Sequence, residues 1–450
     1  MKKGTNNLRN MSLFALTWPI FIEIFLHMLM GNADTLMLSQ YSDNSVAAVG
    51  VANQIVSLLI VMFGFVATGT AILVAQYLGA DRDLDAGGVS VVSLFANLVF
   101  GAVLSLAILV FTTPILKMMD LPPELMDEAS SYLKIVGGFG FVQALIMTAG
   151  AILRSHGFTR DAMYITIGMN ILNVIGNYFF IFGPFGFPVL GVDGVAISTT
   201  VSRLIGFVVI IIVLVKRAPD ALPFRKLTEP LRHLKDLLKI GIPSAGEHLS
   251  YNGSQMLITY FITMLGTEAL TTRVYATNIM MFIFLFAVAI SQGTQIMIGH
   301  MIGAGKINEA YHRCLKSLKI AIVISLGMAV LGYLFSEPLL GIFTDNPTII
   351  AVGSTLIMLT IILEPGRSFN LVVINSLRAA GDVKFPVYMG ILSMWGVSVT
   401  LAYFLGITLG LGLVGVWIAF CADEWLRGII MLFRWRSKVW VDKTFVRSAS

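Results

Sequence analysis

The chain has 450 residues, of which 57% are hydrophobic and only 12% are charged, with a formal net charge of +5. So much apolar surface excludes a water-soluble globular protein and predicts one that crosses a membrane many times. Basic residues cluster in the segment 216–239 and indicate orientation and lipid contact, so the net charge does not predict a nucleic-acid partner.

Twelve stretches are apolar and long enough to cross a bilayer, which takes about 20 residues each. They lie at 11–38, 46–78, 88–115, 130–153, 161–183 and 191–215, and at 237–265, 269–303, 316–336, 348–377, 384–407 and 411–434. We predict an all-α polytopic membrane protein. Its predicted parts are an amino-terminal lobe at 1–215, a basic cytoplasmic linker at 216–236, a carboxy-terminal lobe at 237–435 and a cytoplasmic tail at 436–450.

The basic start Met1-Lys2-Lys3, followed by an apolar run, resembles the start of a signal peptide. The run continues through Leu38 without a clear small-x-small cleavage site, so it is predicted to be the first transmembrane helix.

The two halves of the chain repeat each other at one constant displacement, the one that carries Pro19 onto Pro243. The same displacement matches Glu23 with Glu247 and the loop Leu153–Gly157 with Leu377–Gly381. Each half contains an even number of predicted spans, so the halves have the same orientation across the membrane. Duplicated halves with a binding site between them are common among transporters.

The positive charges predict the orientation of these spans. Of the 30 Lys and Arg residues, 24 lie on the side of the amino terminus; the others are Lys117, Lys134, Arg203, Arg273, Arg367 and Arg427. We therefore predict a multi-pass protein of the cell membrane with both termini in the cytoplasm.

Metal and nucleotide chemistry have no support in the sequence. Cys314 and Cys421 lie far apart, and the chain lacks the spacings of a zinc site. The segment Gly303–Lys306 resembles part of a phosphate-binding loop, but His300 and Ile307 break the pattern. We expect no catalytic residue, no metal, no cofactor and no ATP.

Ionisable side chains at membrane depth are few, and each is costly there unless it is paired or faces water. In the first half they are Glu23, His27 and Asp34 of helix 1 and Arg203 of helix 6. In the second half they are Glu247 and His248 of helix 7, Glu364 and Arg367 of helix 10, and Asp423, Glu424 and Arg427 of helix 12.

Some of these residues are spaced for structural ion pairs. Asp423 and Glu424 can each pair with Arg427 on one face of helix 12, and Glu23 can be balanced by His27 one turn away.

The others are candidates for function. Glu364 and Arg367 flank Pro365 and Gly366, where the spacing fits either an ion pair or a functional site. Asp34 and Glu247 have no obvious cationic partner nearby, which favours a functional role for both.

Asn173 and Asn177 lie four residues apart on one face of helix 5. Amides beside a carboxylate such as Asp34 can hold a cation, or can hydrogen-bond a carboxyl group that gains and loses a proton. The alternative is that both amides only bond to neighbouring helices. The 23 Met and 30 Phe residues suit an adaptable apolar pocket.

Several motifs occur in an order and spacing that are specific when taken together. They are Pro243-x-x-x-Glu247, Ala33-Asp34-Thr35, Gln76–Ala80 with its repeat Met301–Ala304, the two Leu-Arg-x-x-Gly loops, the Asn173/Asn177 pair and Gly191–Gly194. Over nearly the whole chain they resemble MATE (multidrug and toxic compound extrusion) transporters.

The resemblance implies two six-helix lobes that form a V around a central cavity, which opens alternately to either side of the membrane. It implies a monomer that exports small organic, cationic and amphipathic compounds in exchange for H⁺ or Na⁺. It also implies a cation or proton site at Asp34, Asn173 and Asn177 in the first lobe, and a functional Glu247 in the second.

H⁺ is favoured over Na⁺ for two reasons. Some members have an acid where this chain has Asn177, and sodium-coupled members add an acid in helix 10, where this chain offers Glu364 and Arg367. Together with Glu247 and Glu23, these two residues remain candidates for a substrate site or a second ion site.

Pro19 and Pro243 remove a backbone hydrogen bond from the first helix of each lobe and are predicted hinges, the alternative being static kinks. Protonation of Asp34 is expected to favour one arrangement of helix 1 and to release the substrate outside.

Two other functions stay open. A flippase for lipid-linked saccharides needs several cavity arginines for a pyrophosphate, whereas arginines at membrane depth are few here and mostly near acids. An intramembrane enzyme needs a metal motif or a nucleophile constellation, and the sequence contains neither.

Overall fold

The computed structural model describes residues 12–223, 227 and 229–446, which are helical apart from short connections and include no strand. Some of the predicted features lie outside the described residues: the basic start Met1-Lys2-Lys3, Arg225 and Lys226 of the linker, and positions 447–450 of the tail.

The first half consists of six long helices, one of them broken. They are α1 Leu13–Ser39, α2 Asp43–Gly79, α3 Asp83–Met118, α4 with the segments Pro123–Gly137 and Gly140–Ser155, α5 Thr159–Phe182 and α6 Val192–Arg217. The two segments of α4 differ in direction by 41°.

The second half repeats this pattern. Its helices are α7 Pro230–Thr263, α8 Thr267–Gly303, α9 Ile307–Leu334, α10 Pro347–Ala379, α11 Lys384–Thr408 and α12 Gly412–Arg436. A short helix at Ser336–Gly341 follows α9, and single helical turns occur at Pro184–Gly186, Pro219–Ala221 and Val439–Lys443.

Each predicted span coincides with one of these helices, but several helices begin earlier than predicted. α7 begins at Pro230 and α9 at Ile307, ahead of the predicted starts at 237 and 316. These first turns carry charged residues, which an apolar criterion excludes although the backbone is already helical. The carboxy-terminal end of the predicted linker is therefore part of α7.

Nine of the described helices are apolar and long enough to cross a membrane, and α4 is the tenth if its two segments form one span. The other two, α7 and α12, carry buried charged side chains, among them Glu247 in α7 and Asp423 in α12. Polar and charged side chains, rather than a shorter length, set these two helices apart from the other spans.

The chain divides into two compact units. The first contains Trp18–Gly241, and the second contains Ser12–Thr17 together with the chain from Ile242 onward. The boundary falls inside α1 and inside α7, at positions that the internal repeat carries onto each other. In each helix the second residue after the boundary is the predicted hinge proline.

The core of the first unit is apolar with a few polar ties between helices. Phe63 of α2 and Val195 of α6 belong to its main buried cluster. Asn97 of α3 donates hydrogen bonds to the carbonyl of Ala144 at 3.0 Å and to the hydroxyl of Thr148 at 2.8 Å. These hydrogen bonds from the Asn97 side chain hold α3 against α4.

The core of the second unit is formed by α7, α8, α10, α11 and α12. Ile258, Leu363 and Trp417 are fully or almost fully buried in one cluster. A Cβ on Gly415 of α12 would lie 2.6 Å from the backbone of Leu405 in α11. Such close approach brings the backbone of α12 directly against α11.

Candidate functional site

Three helices of the first unit share a buried chain of hydrogen bonds. The Asp34 carboxylate of α1 accepts a bond from the Nδ2 of Asn177 at 2.5 Å. The same nitrogen donates to Oδ1 of Asn173 at 3.3 Å, and the Asn173 amide donates to the Thr199 hydroxyl of α6 at 3.0 Å. The structure therefore brings together Asp34, Asn173 and Asn177, as predicted, and adds Thr199, which sequence reasoning missed.

The local sequence explains this arrangement. Spacing by four residues puts both asparagines on one face of α5, and both are fully buried. A Cβ on Gly176 would lie 2.5 Å from the Ser198 hydroxyl oxygen, so glycine permits the close approach of α5 and α6. Asn170 donates to the carbonyl of Leu26 at 3.2 Å and holds α1 against α5.

Asp34 is buried, with 6% of its surface accessible, and it has no ion pair with any described side chain. Arg203 of α6 and Tyr132 of α4 lie within its electrostatic range. The Arg203 guanidinium makes no hydrogen bond or ion pair with the part of the chain that the structure describes. Asp34 and Arg203 are thus opposite charges close enough to sense each other without direct contact.

One acceptor in this group is unused. The Oδ1 of Asn177 is buried and has no hydrogen-bond partner among the described residues. A buried amide oxygen without a donor is costly, so it is a position where a proton donor is favoured.

Two ion pairs occupy positions that match each other in the internal repeat. Glu23 of α1 accepts a bond from Arg154 at 2.7 Å, and Glu247 of α7 accepts one from Arg378. Both pairs join the first helix of a unit to the Leu-Arg-x-x-Gly segment of its fourth helix. The prediction that Glu23 is balanced by His27 is wrong, because Arg154 is its partner.

Glu247, which has no cationic partner nearby in the sequence, has a distant one in the structure. Its partner Arg378 lies 131 residues further along the chain, as Arg154 does from Glu23. A search for partners within a helical turn cannot find such a pair. The signal that could have found it was the repeat itself, since the acid and the arginine recur at the same displacement.

A third group of charges lies between α10 and α12 in the second unit. Arg367 donates to Glu364 at 3.0 Å within α10. Arg427 donates to Asp423 at 2.8 Å and to Glu424 at 2.9 Å within α12, as the spacing predicted. We name these five residues the α10–α12 charge cluster.

α10 continues as one helix through Pro365 and Gly366, and this turn packs against α12. Pro365 removes one backbone hydrogen bond from α10. A Cβ on Gly366 would lie 2.7 Å from the Trp425 ring, and the Trp425 indole donates to the carbonyl of Ile362 at 2.8 Å. The ring therefore packs directly on the turn that contains the proline.

The predicted hinge prolines lie inside continuous helices. Pro19 belongs to α1 and Pro243 to α7, and both helices continue on either side of the proline. Among the described residues, no group of three His, Cys, Asp or Glu side chains could hold a metal ion.

Comparison with known proteins agrees with this architecture. Residues 19–179 and 243–404 each match the family model described as MatE, and the two matches start at the paired prolines Pro19 and Pro243. The chain is 57% identical over 436 residues to "Uncharacterized transporter YisQ" of Bacillus subtilis strain 168, covering 97% of this chain and 96% of that protein.

A second relative is "Probable multidrug resistance protein NorM" of Thermotoga maritima, which is 28% identical over 435 residues and covers 95% of this chain and 92% of that protein. A solved structure described as the outward-facing conformation of a multidrug resistance MATE family transporter of the MOP superfamily superimposes with a TM-score of 0.90. It has 22% sequence identity and covers 99% of this chain and 100% of that chain, which shows the fold.

The matched fold has twelve transmembrane helices in two six-helix halves, and α1 to α12 supply them. The family consists of membrane transporters and not of enzymes. The chain is therefore a multi-pass membrane transporter that belongs to the MatE family.

Proposed function

We propose that this transporter exports small organic cations across the plasma membrane in exchange for protons, by alternating access, with both termini in the cytoplasm. The observation that carries the proposal is the buried Asp34 carboxylate, which is bonded to the Asn177 amide and not ion-paired with any described side chain. A carboxylate in that setting can exchange its charge for a proton without breaking an ion pair.

Charge balance links the proton to the substrate. When Asp34 is ionised, its charge and that of Arg203 cancel within the first unit. When Asp34 is protonated, the charge of Arg203 is uncompensated, because arginine stays charged in proteins. The protonated unit therefore repels an organic cation that the ionised unit tolerates. Proton binding and cation binding are then competitive without sharing an atom.

Hydrogen bonding gives the proton a structural effect. Ionised Asp34 accepts a bond from the Nδ2 of Asn177, whereas protonated Asp34 has a hydroxyl to donate. The unused Oδ1 of Asn177 becomes its acceptor when the amide turns over. That turn breaks the present bond to Asn173, so α1 and α5 interact differently in the two states. Only such differential binding lets a ligand drive a conformational cycle.

The same geometry favours H⁺ over Na⁺. A sodium ion needs several oxygen ligands, but the Asn173 oxygen already accepts a bond from Asn177. Tyr132 donates its hydroxyl to Asn53 at 3.1 Å, and Arg203 adds a positive charge near the carboxylate. A proton needs only one acceptor, which Asn177 supplies.

Pro19 and Pro243 are the proposed hinges. Each lies two residues beyond the point where its helix passes from one unit to the other. The missing backbone hydrogen bond makes bending cheapest at that point. Glu23 and Glu247 are proposed to anchor α1 and α7 to their own units, since each is bonded to an arginine there.

The relatives named as probable multidrug resistance proteins support a drug-like substrate. The arginines at membrane depth do not suit a pyrophosphate carrier. Arg154, Arg367, Arg378 and Arg427 are each ion-paired with an acid of the same unit. These four have no free charge to offer to a lipid-linked saccharide. The charge of Arg203 is offset by nearby Asp34, and Arg273 is bonded to Thr259 and Gln255.

The proposal is tested with purified protein in lipid vesicles, with ethidium as the organic cation. An imposed pH gradient is expected to drive its accumulation, and a sodium gradient of equal size is not. Asp34→Asn is expected to abolish the response to the pH gradient. Asp43→Asn, which removes an exposed carboxylate at the start of the next helix, serves as the control and keeps it.

Unchanged pH-driven transport in Asp34→Asn would overturn the role of Asp34. Transport that follows the sodium gradient alone would overturn proton coupling.

A further inference from the structure

We infer that the start of α7 is a sensor of cytoplasmic pH, in which neutral His233 holds the helix against α2 and protonated His233 releases it. The inference rests on the proposed function for the side of the membrane and for its effect on transport. The release itself follows from the contacts around His233 and can be measured without a substrate.

The first turns of α7 pack on α2 through one buried stripe. His233, Leu237 and Ile240 are 1%, 2% and 0% exposed and lie at positions i, i+4 and i+7 of one helix face. A Cβ on Gly69 of α2 would lie 2.9 Å from the Leu237 side chain, so the two helices approach closely there. An imidazole thus occupies a position in a stripe that is otherwise apolar.

Neither ring nitrogen of His233 has a hydrogen-bond partner in the part of the chain that the structure describes. The ring meets the Tyr77 ring of α2 edge to face, with centroids 5.7 Å apart and planes at 88°. The Tyr77 hydroxyl is also buried without a described partner. Burial and aromatic packing, rather than hydrogen bonds, therefore hold the imidazole, and both favour its neutral form.

The charges around this ring are already balanced. Each nearby acid is bonded to a basic side chain: Asp85 to Arg82 at 2.9 Å at the start of α3, Glu229 to Arg232 at 2.7 Å, and Asp236 to Lys239 at 2.8 Å in α7. Arg82 also lies over the Tyr77 ring, 5.2 Å from its centroid. A proton on His233 adds a positive charge that none of these acids is free to match.

The sign of the pH dependence follows from this environment. His233 lies ahead of the predicted span, which begins at position 237. Burial lowers the pKa of His233 from its ordinary value of about 6.5. The docked helix therefore binds the proton less tightly than the released helix does. Docking has its full strength above about pH 6.5 and weakens as the pH falls below that value.

The place of His233 in the chain links this release to transport. α7 passes from the first unit to the second after Gly241, and the proposed hinge Pro243 follows two residues later. A bend at the hinge is transmitted only while the start of α7 is fixed on α2. Export in exchange for protons acidifies the cytoplasm, so release of α7 at low pH slows the exchange when the cytoplasm becomes acidic.

The first test measures the release by thiol labelling in lipid nanodiscs, with Cys314 and Cys421 replaced by Ala. Leu237→Cys puts a buried thiol on the stripe, which a maleimide reaches only when α7 is released. Its labelling rate is divided by that of Lys235→Cys, an exposed position nearby, so that the pH dependence of the thiol itself cancels. The corrected rate is expected to rise up to about tenfold from about pH 7.5 to about pH 5.5.

His233→Phe keeps an aromatic ring in the stripe and removes the titration. Its corrected labelling rate is expected to be the same at both pH values, and His233→Leu repeats the test with a different apolar side chain. The control is His312→Phe at the start of α9. His312 also meets a tyrosine ring, that of Tyr311, edge to face at 5.4 Å, but it is exposed. This control is expected to keep the rise. Size-exclusion profiles confirm that each variant is folded.

The second test is ethidium exchange in vesicles with equal pH on both sides, where no proton gradient contributes. When the pH is lowered to about 5.5, wild-type exchange is expected to slow by up to about tenfold more than exchange by His233→Phe. Any effect of Asp34 protonation is common to both proteins and cancels in this comparison.

A corrected labelling rate that does not rise at low pH, or that rises equally in His233→Phe, would contradict the inference. Equal pH profiles of ethidium exchange in the two proteins would contradict its role in transport. The labelling result depends neither on a substrate nor on Asp34, so Asp34→Asn is expected to keep it even if the proposed proton coupling fails.

Discussion

The paired anchors Glu23–Arg154 and Glu247–Arg378 make a quantitative prediction about stability. Replacing Arg154 by Gln leaves the Glu23 carboxylate, whose side chain is only 14% exposed, without its arginine. Its other oxygen, Oε2, is buried and has no described partner. Removing one member of a buried ion pair costs about 3–5 kcal/mol, because the remaining charge is uncompensated.

The double variant Glu23→Gln with Arg154→Gln removes both charges and keeps the shapes of the side chains. It is expected to be more stable than either single variant, since replacing a whole buried pair is often close to neutral. The Glu247–Arg378 pair is more buried, with side chains 9% and 12% exposed, so its single variants are expected to cost at least as much.

The assay is thermal unfolding of the purified variants in one detergent, followed by intrinsic fluorescence, with each pair analysed as a double-mutant cycle. The expected order is wild type, then double variant, then single variants. A double variant whose loss equals the sum of the two single losses would refute the reasoning, because it would show that the charges do not interact.

Three further changes follow from the described contacts. Asn177→Leu removes the only described hydrogen-bond donor to Asp34. The loss destabilises the ionised form of Asp34 by about 1.5–3 kcal/mol and is expected to slow pH-driven exchange in vesicles roughly tenfold. Gly366→Ala places a Cβ 2.7 Å from the Trp425 ring and is expected to destabilise the protein by about 1–3 kcal/mol in thermal unfolding. Gly327→Ala, whose Cβ has open space, is its control. Pro19→Ala restores a backbone hydrogen bond and is expected to slow vesicle transport while ethidium binding, measured by fluorescence, is kept.

The helices and the repeat were predictable because both are local or periodic properties of the sequence. Span positions depend on apolar length, and the displacement of the internal repeat recurs in the unit boundary and in the family matches. The carboxylate at position 34 and the two amides of α5 were also predictable, because polar groups are rare at membrane depth and spacing by four residues defines a helix face.

The partners of the acids were much harder to predict. The spacing rule found the pair of Asp423 with Arg427, which lie on one helix, and missed Arg154 and Arg378, which lie 131 residues from their acids. Thr199 carried no signal, since a single threonine in an apolar helix is common. Which residue faces which depends on the packing of helices, and a local pattern does not encode it.

Duplication preserved the anchors and not the titratable site, and this difference is testable. The counterpart of Asp34 in the second unit is Ile258, fully buried in an apolar cluster, and the counterparts of Asn173 and Asn177 are Val397 and Leu401. Ile258→Asp therefore buries a carboxylate without the amides that serve Asp34, at a cost of about 3 kcal/mol or more.

We expect Ile258→Asp to lower the unfolding temperature without adding a sodium or proton response in vesicles. A new ion response would show that position alone makes a coupling site. Loss of stability without a new ion response would show that a buried acid also needs the hydrogen-bonded Asn177, Asn173 and Thr199 to become a proton site.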